Sequence, residues 1–234
     1  SRLGLARSGD GLRFTRHPMP VMEATEPYEK PGGCEDPRLV RIDERFYLTY
    51  TAYDGQTARL CMAVGDSLDR WEKRGPLLPE RGWTKSGAIL AQPIDGRYWM
   101  YFGDTNIWAA HSTDLRRWAV VEPPVLRPRP GRFDARLVEP GPPPVVRPEG
   151  VWLIYNSADE GLRYAAGQAL FAADDPTRLL WRDEKPILEP ATQDEIEGQV
   201  PRVVFAEGLV QFRDRWLLYY GMADSRIGVA IADR

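Results

Sequence analysis

Aromatic-rich hydrophobic runs recur along the chain, each following a short charged or glycine-containing turn. The last residues of successive runs are 52, 53 and 65 positions apart. Helical periodicity is nearly absent, so each run predicts a strand that is buried on both faces and enters from a tight hairpin. The runs are RFYLTY ending at Tyr50, RYWMYF ending at Phe102, VWLIY ending at Tyr155 and RWLLYY ending at Tyr220.

Each run also has similar neighbours. A β-prone segment precedes each turn, and a segment that alternates apolar and small residues follows each run. In three cases this following segment continues through a tryptophan into a further short strand; the tryptophans are Trp71, Trp118 and Trp181. Four antiparallel strands repeated at roughly 50 residues are typical of a propeller blade. We therefore predict an all-β fold, a five-bladed β-propeller that forms a single catalytic domain over residues 1–234.

The two ends of the chain complete this prediction. The N-terminal segment, RLGLARSGDGLRFTRHPMPVM, matches only the third and fourth strands of a blade, so we expect an incomplete first blade. The C-terminal unit has three predicted strands, and the chain begins at Ser1 without a methionine, which suggests a partial sequence. A β-sandwich of similar strand number is the alternative, because alternation does not distinguish a closed ring from two layers.

Composition narrows the possible functions. Lys and Arg number 31 against 34 Asp and Glu, so no broad basic field favours nucleic acid. No run of about 18 apolar residues predicts a membrane span. Only two cysteines and two histidines are present, which argues against a disulfide framework, a metal centre and a Ser-His-Asp triad. We therefore expect carboxylates to carry any acid–base chemistry, with no metal and no cofactor. Localisation is open, with the cytoplasm favoured, and so is the oligomeric state.

The sharpest local pattern is GCEDPR over residues 33–38. Pro37 favours an extended conformation at Asp36, and in an extended strand Asp36 and Arg38 lie on the same side. This pair suits a site that grips sugar hydroxyls. A nearby arginine lowers a carboxyl pKa, however, whereas a general acid needs a raised one. Either Arg38 therefore turns to the substrate or Asp36 protonates it indirectly; an ion-paired turn with no catalytic role is the alternative.

Two further carboxylates, Glu139 and Glu207, occupy comparable positions before glycine-containing turns. The prolines that follow Glu139 restrict its backbone, and a rigidly placed carboxylate favours catalysis. Three carboxylates at the starts of blades suit the cleavage of a glycosidic bond, in which one protonates the leaving oxygen and another attacks or activates water. A solvated loop carboxylate is the alternative for either glutamate.

Other candidates lie near the predicted rim. Aspartates recur after the second strands, although a turn role explains them equally well. Aromatic residues at the rim, Trp83 among them, can stack on sugar faces, and Lys85 can bind an anion. The candidate substrate-binding residues are Arg38, Tyr53, Asp54, Lys85, Asp104, Asn156, Arg202 and Asp224.

The segment GCEDPRLVRIDERFYLTYTAYDG resembles glycoside hydrolase family 130, whose five-bladed propellers act on β-mannosides by phosphorolysis or by hydrolysis with inversion. The segments EPGPPPVVRPEGVWLIY and YYGMADSRIGVAIA are similar to the family's fourth and closing blades. The resemblance implies that Asp36 is the proton donor, acting through a hydroxyl of the bound mannose. It also implies that Asp224 helps to hold the sugar at the cleavage subsite.

The chain departs from the family's phosphorylases at two phosphate-binding positions. Asp104 and Asn156 stand where the resemblance implies an arginine and a histidine. An aspartate repels a phosphate dianion. We therefore expect an inverting β-mannoside hydrolase with Glu139 or Glu207 as the base. The alternatives are a β-mannoside phosphorylase, another five-bladed glycosidase of the arabinanase or xylosidase type, and a non-catalytic sugar-binding propeller.

Overall fold

The computed structural model describes residues 1–233, which form four larger antiparallel sheets and one short ladder. Sheet I contains β3 (Gly33–Ile42), β4 (Arg45–Tyr53), β5 (Ala58–Gly65) and β6 (Glu72–Pro76). Sheet II contains β7 (Ala88–Ile89), β8 (Tyr98–Phe102), β9 (Ile107–Ser112) and β10 (Ala119–Leu126). Sheet III contains β11 (Leu137–Pro140), β12 (Val145–Arg147), β13 (Gly150–Ala158), β14 (Tyr164–Phe171) and β15 (Leu179–Arg182). Sheet IV contains β16 (Val204–Phe212), β17 (Arg215–Met222) and β18 (Arg226–Asp233). A single α-helical turn, α1 (Gln193–Ile196), and a 3₁₀ turn (Pro27–Glu29) complete the regular structure of this range.

Strands that follow one another in the chain pair side by side in each sheet, except that β11 and β12 of sheet III both pair with β13. The predicted aromatic runs lie in β4, β8, β13 and β17, the strand of each sheet that pairs with its first strand. These strands are paired on both edges, and side chains from them pack in the apolar clusters between neighbouring sheets. Apolar clusters join sheet I to sheet II, sheet II to sheet III, and sheet III to sheet IV. Strand β16 also contacts β3, so the four sheets have a propeller-like arrangement.

The five-bladed prediction is not supported, because the N-terminal segment forms only a short two-stranded ladder. Its strands β1 (Ala6–Arg7) and β2 (Thr15–Arg16) pair over only two residues each, and all four side chains are exposed. Beyond the ladder, Leu3 and Met22 form an isolated bridge and pack into the apolar cluster of sheet I. The segment instead lies across sheets I and IV, since Cys34 N donates to Ser1 O at 3.2 Å and Tyr219 Oη donates to Gly11 O at 2.7 Å. The predicted three-strand C-terminal unit is confirmed by sheet IV.

A buried acid–tyrosine hydrogen bond recurs in three of the four sheets. In each, a tyrosine of the strand that carries the aromatic run donates its hydroxyl to a carboxylate. That carboxylate lies in the segment before the sheet's first strand. The pairs are Tyr50 with Glu29 at 2.8 Å, Tyr155 with Asp134 at 2.9 Å and Tyr220 with Glu195 at 2.7 Å. All three carboxylates are buried. These bonds fix the chain as it enters β3, β11 and β16, which are the strands that carry the candidate site.

Candidate active site

The candidate site lies where β3, β11 and β16 begin, because these first strands carry Asp36, Glu139 and Glu207. Lys85, in the loop before β7, joins them: its Nζ lies 3.3 Å from Asp36 Oδ2 and 3.7 Å from Glu139 Oε2. Arg38 of β3 completes the cluster, with its Nη1 3.0 Å from Glu207 Oε1. The fold therefore brings together three carboxylates and two cations from four separate segments of the chain.

Asp36 does not have the extended backbone that Pro37 led us to expect. Its φ is 49°, in the left-handed region, because a β-bulge interrupts the pairing of β3 with β4 between Glu35 and Arg38. A bulge of this kind redirects a side chain, and bulges are frequent beside active sites. The expected shared side of Asp36 and Arg38 is thus wrong. Arg38 Nη1 donates to the backbone oxygen of Asp36 at 2.8 Å, and the Asp36 carboxylate turns to Lys85 instead.

Arg38 is an internal support of the site. Its side chain is buried and donates through Nη2 to Pro140 O at 3.1 Å and through Nε to Gly141 O at 3.3 Å. A side chain with this little exposure does not favour the predicted contact with sugar. Arg38 instead links the bulge of β3 to the end of β11 and, through Glu207, to β16.

Glu139 is held from two sides. Ser86 donates its hydroxyl to Glu139 Oε2 at 2.8 Å, and Lys85 Nζ forms an ion pair with the same oxygen at 3.7 Å. Burial raises the pKa of Glu139, and the Lys85 and Arg38 cations oppose that rise. Burial likewise lowers the pKa of Lys85, but the Glu139 and Asp36 carboxylates outweigh it and hold that pKa above its ordinary value. Lys85 is therefore a cation at every working pH.

Glu207 has the most perturbed carboxyl group of the site. Burial raises its pKa to about 7; Arg38 opposes the rise, and the Asp36 and Glu139 carboxylates add to it. Its side chain is still 31% exposed although its Oε1 is buried, so the group can exchange a proton with solvent. A carboxyl group that titrates near neutral pH and reaches solvent is suited to proton transfer.

Asp224 and Tyr164 face the same cluster from sheets IV and III. Burial raises the pKa of Asp224, and the Asp36 carboxylate adds to that rise. Burial also raises the pKa of Tyr164, and the nearby Glu139, Asp104 and Asp224 carboxylates are among the further causes. Sequence reasoning missed Tyr164 and Ser86. Both had a signal: Ser86 directly follows Lys85, and Tyr164 opens the alternating segment after the third aromatic run.

Two predicted sugar ligands have other roles in the structure. Asp54 accepts the backbone N–H groups of Thr57 and Gln56 and lies 2.5 Å from Arg59 Nη1. These hydrogen bonds, the Thr57 bond first, lower the pKa of Asp54 to about 2, as expected of a turn aspartate. The second of these predicted ligands, Asn156, is fully buried.

Both polar atoms of the Asn156 amide form hydrogen bonds with the backbone of strand β16. Its Nδ2 donates to Ala206 O at 2.9 Å, and its Oδ1 accepts from Ala206 N at 2.7 Å. This amide therefore positions β16 directly before Glu207. Arg202, another predicted ligand, is exposed and donates to Gly161 O at 3.1 Å. The carboxylate cluster described above does not include it.

The remaining predicted residues form the rim. Tyr53 packs edge-on against Trp83, with ring centroids 6.5 Å apart, and Asp104 accepts a hydrogen bond from Trp83 Nε1 at 2.6 Å. Over residues 1–233, no group of three or more His, Cys, Asp or Glu side chains is arranged to hold a metal ion. Within the same range, no helix is both long and apolar enough to cross a membrane. Cys34 and Cys61 are free and buried.

Sequence comparison gives matches along the whole chain. The model of glycoside hydrolase family 130, described as beta-1,4-mannooligosaccharide phosphorylase, matches residues 1–234. A 1,2-beta-oligomannan phosphorylase of Thermoanaerobacter sp. (strain X514) is 38% identical over 100% of this chain and 79% of its own length. A beta-1,2-mannobiose phosphorylase of the same strain is 36% identical over 100% of this chain and 78% of its own length.

Solved structures agree with these matches. The beta-1,2-mannobiose phosphorylase from Listeria innocua, in complex with beta-1,2-mannobiose, has a TM-score of 0.92 at 30% identity, covering 99% of this chain and 67% of its own. Another structure has a TM-score of 0.95 at 38% identity, covering 99% of this chain and 75% of its own. It was reported with the finding that the family of mannoside phosphorylases contains glycoside hydrolases that target beta-1,2 mannosidic linkages in Candida mannan.

Proposed function

Because the chain belongs to glycoside hydrolase family 130, we propose that it cleaves β-mannosides with inversion and transfers the mannosyl unit to inorganic phosphate. The observation that carries this proposal is the identity of 38% and 36% with two mannoside phosphorylases over the entire chain. The sequence led us to expect hydrolysis, with phosphorolysis as the alternative. The relatives support the alternative better than the expected reaction.

In this reaction Asp36 supplies the proton. The bond between C1 of the mannosyl unit and the glycosidic oxygen breaks, and the oxygen takes the proton as the leaving sugar departs. A phosphate oxygen forms the new bond to C1 from the opposite face, so a β-mannoside yields α-mannose 1-phosphate. Lys85 Nζ lies 3.3 Å from the Asp36 carboxylate and fixes its position. The family resemblance implies that this proton passes through a hydroxyl of the bound sugar.

Phosphate needs positive charge beside the carboxylates, and Lys85 is placed to supply it. The site also carries Asp36, Glu139 and Glu207, whose combined charge repels a dianion. The pKa of Glu207, about 7 because of burial, lessens this repulsion, since the carboxyl is largely neutral at slightly acidic pH. Phosphate binding is therefore expected to weaken as the pH rises through 7.

Hydrolysis is the second candidate, and Glu207 is the observation that favours it. A partly exposed carboxyl with a pKa of about 7 can take a proton from water once it is ionised. The more deeply buried Glu139 is engaged by Ser86 and Lys85, which leaves it less free to act as a base. On this alternative the rate rises with pH through 7, opposite to the trend expected for phosphorolysis.

Product analysis tests both candidates. The protein is incubated with β-1,2- and β-1,4-linked mannobiose, with and without inorganic phosphate, and the products are identified by anion-exchange chromatography and ³¹P NMR. Phosphorolysis gives mannose 1-phosphate only when phosphate is present, whereas hydrolysis gives mannose at the same rate without it. Binding without either product would leave a sugar-binding role. Asp36→Asn should be inactive, and Asp43→Asn, the same change in an exposed turn, should behave as the wild type.

A further inference from the structure

Trp83 is a large aromatic side chain left exposed beside the site. Its exposed fraction is 52%, and it precedes by two positions Lys85, which contacts the Asp36 carboxylate. The Cα atoms of Trp83 and Lys85 are therefore at most about 7 Å apart. Asp104, which accepts the indole N–H, is also close enough to Lys85 to help raise its pKa. No apolar core cluster of the described residues includes Trp83. Its exposure therefore has no explanation in packing.

The indole is nevertheless held in a fixed orientation. Its Nε1 donates to Asp104 Oδ2 at 2.6 Å, and Tyr53 packs against it at an interplanar angle of 71°. The backbone behind it is equally constrained, because Thr84 N donates to Ala58 O and Thr84 Oγ1 accepts from Leu60 N, both at 3.0 Å. A mobile surface tryptophan has no such set of contacts. An aromatic group that is both fixed and exposed is prepared to receive a ligand.

The chemistry of the rim favours a sugar as that ligand. A pyranose ring has C–H groups on its faces and hydroxyls around its edge. The faces can pack on an indole, and the hydroxyls can reach a polar rim such as the Asp104 carboxylate. We propose that Trp83, oriented by Asp104 and Tyr53, is a stacking platform for the sugar unit next to the transferred mannosyl unit. This inference rests on the proposed function, because it places an oligosaccharide across the carboxylate cluster.

This assignment changes the role of Asp104. The sequence indicated it as a sugar ligand, and the structure makes it a positioning residue that fixes the indole through Nε1. Loss of its carboxylate should therefore act on the affinity for longer substrates and not on the chemical step. Asp104→Ala is expected to raise KM for mannotriose about as much as Trp83→Ala does, with kcat changed less than about threefold.

The test measures binding separately from catalysis. Asp36→Asn protein is titrated calorimetrically with mannose and with β-linked mannotriose, alone and with each second substitution. Trp83→Ala should weaken mannotriose binding by at least about tenfold, which corresponds to about 1.4 kcal/mol, and leave mannose binding within about twofold. Trp83→Phe should restore part of the loss. Trp181→Ala, which removes a tryptophan of 47% exposure from β15, is the matched control and should change neither.

The outcomes separate the two proposals. Equal mannotriose affinity with and without Trp83 would overturn the platform and leave the proposed reaction intact. An equal loss for mannose and mannotriose would also overturn it, because Trp83 would then act on the whole site. Failure of the wild-type protein to bind or cleave any manno-oligosaccharide would overturn the platform together with the proposed function.

Discussion

Replacing Arg38 with methionine tests the support beneath the carboxylate site. Arg38 is buried, donates to the carbonyls of Asp36, Pro140 and Gly141, and lies 3.0 Å from Glu207 Oε1. Methionine keeps most of the apolar volume and removes the charge and all donors. The variant therefore leaves a carboxyl group and three carbonyl groups without their partner.

The expected loss follows from the Arg38–Glu207 pair. Removing one partner of a buried ion pair costs about 3–5 kcal/mol, because the other charge is left uncompensated. The loss depends on pH. Arg38 lowers the pKa of Glu207, so without it that pKa moves further above the value of about 7. A carboxyl whose pKa is raised on folding binds a proton more tightly in the folded state, so stability falls as pH rises from the unfolded pKa through the folded one.

Guanidinium chloride unfolding at about pH 5.5 and pH 8.5 measures this loss. We expect Arg38→Met to be destabilised by about 3–5 kcal/mol at the higher pH and by clearly less at the lower one. Adding Glu207→Gln should recover at least about 1 kcal/mol at pH 8.5, because no charge is then left unpaired. Arg70→Met, at an exposed position, is the matched control and should stay within about 0.5 kcal/mol of the wild type. A loss for Arg38→Met below about 1 kcal/mol at pH 8.5, or strictly additive effects in the double variant, would refute this account.

The remaining predictions concern catalysis and the acid–tyrosine bonds. Asp36→Asn should lower kcat/KM on mannobiose by about 10³-fold with an unchanged Tm; a loss below about tenfold would remove Asp36 as the donor. Glu207→Gln should abolish hydrolysis but leave phosphorolysis, and should remove the change in wild-type rate near pH 7; an unaltered pH profile would contradict this. Tyr220→Phe, which removes the bond to Glu195, should cost about 1–2 kcal/mol in unfolding experiments, against no change for Tyr98→Phe, and equal stabilities would contradict it.

The repeat pattern made much of the fold predictable. The aromatic runs give β4, β8, β13 and β17, because strands covered on both faces are apolar throughout. Equivalent positions in successive repeats then lie at the same end of the propeller. For this reason Asp36, Glu139 and Glu207 could be grouped from spacing alone. The number of blades was not predictable in this way, because an N-terminal segment with a strand-like pattern pairs over only two residues in β1 and β2.

Side-chain partners were the harder part of the site. The bulge at Asp36 breaks the alternation on which the Asp36–Arg38 argument depended, and a bulge leaves no reliable mark in a sequence. Asn156 looked like a ligand because of its position. Whether its amide faces a channel or a neighbouring backbone depends on how sheets III and IV dock, and here it bonds to Ala206. Patterns therefore located the candidate residues, and packing decided which of them are free to act.

Side-chain contacts also bear on whether phosphate or water accepts the mannosyl unit. Asp104 was read as an obstacle to phosphate because an aspartate repels a dianion, yet its carboxylate accepts the Trp83 N–H at 2.6 Å. A carboxylate engaged in this way still carries its charge, so its repulsion of a phosphate dianion remains. The net charge of the carboxylate cluster then depends on Lys85, which is cationic, and on Glu207, whose pKa is about 7. A rate that falls as the pH rises through 7 is therefore the expected mark of phosphate as the acceptor, and a rate that rises is the mark of water.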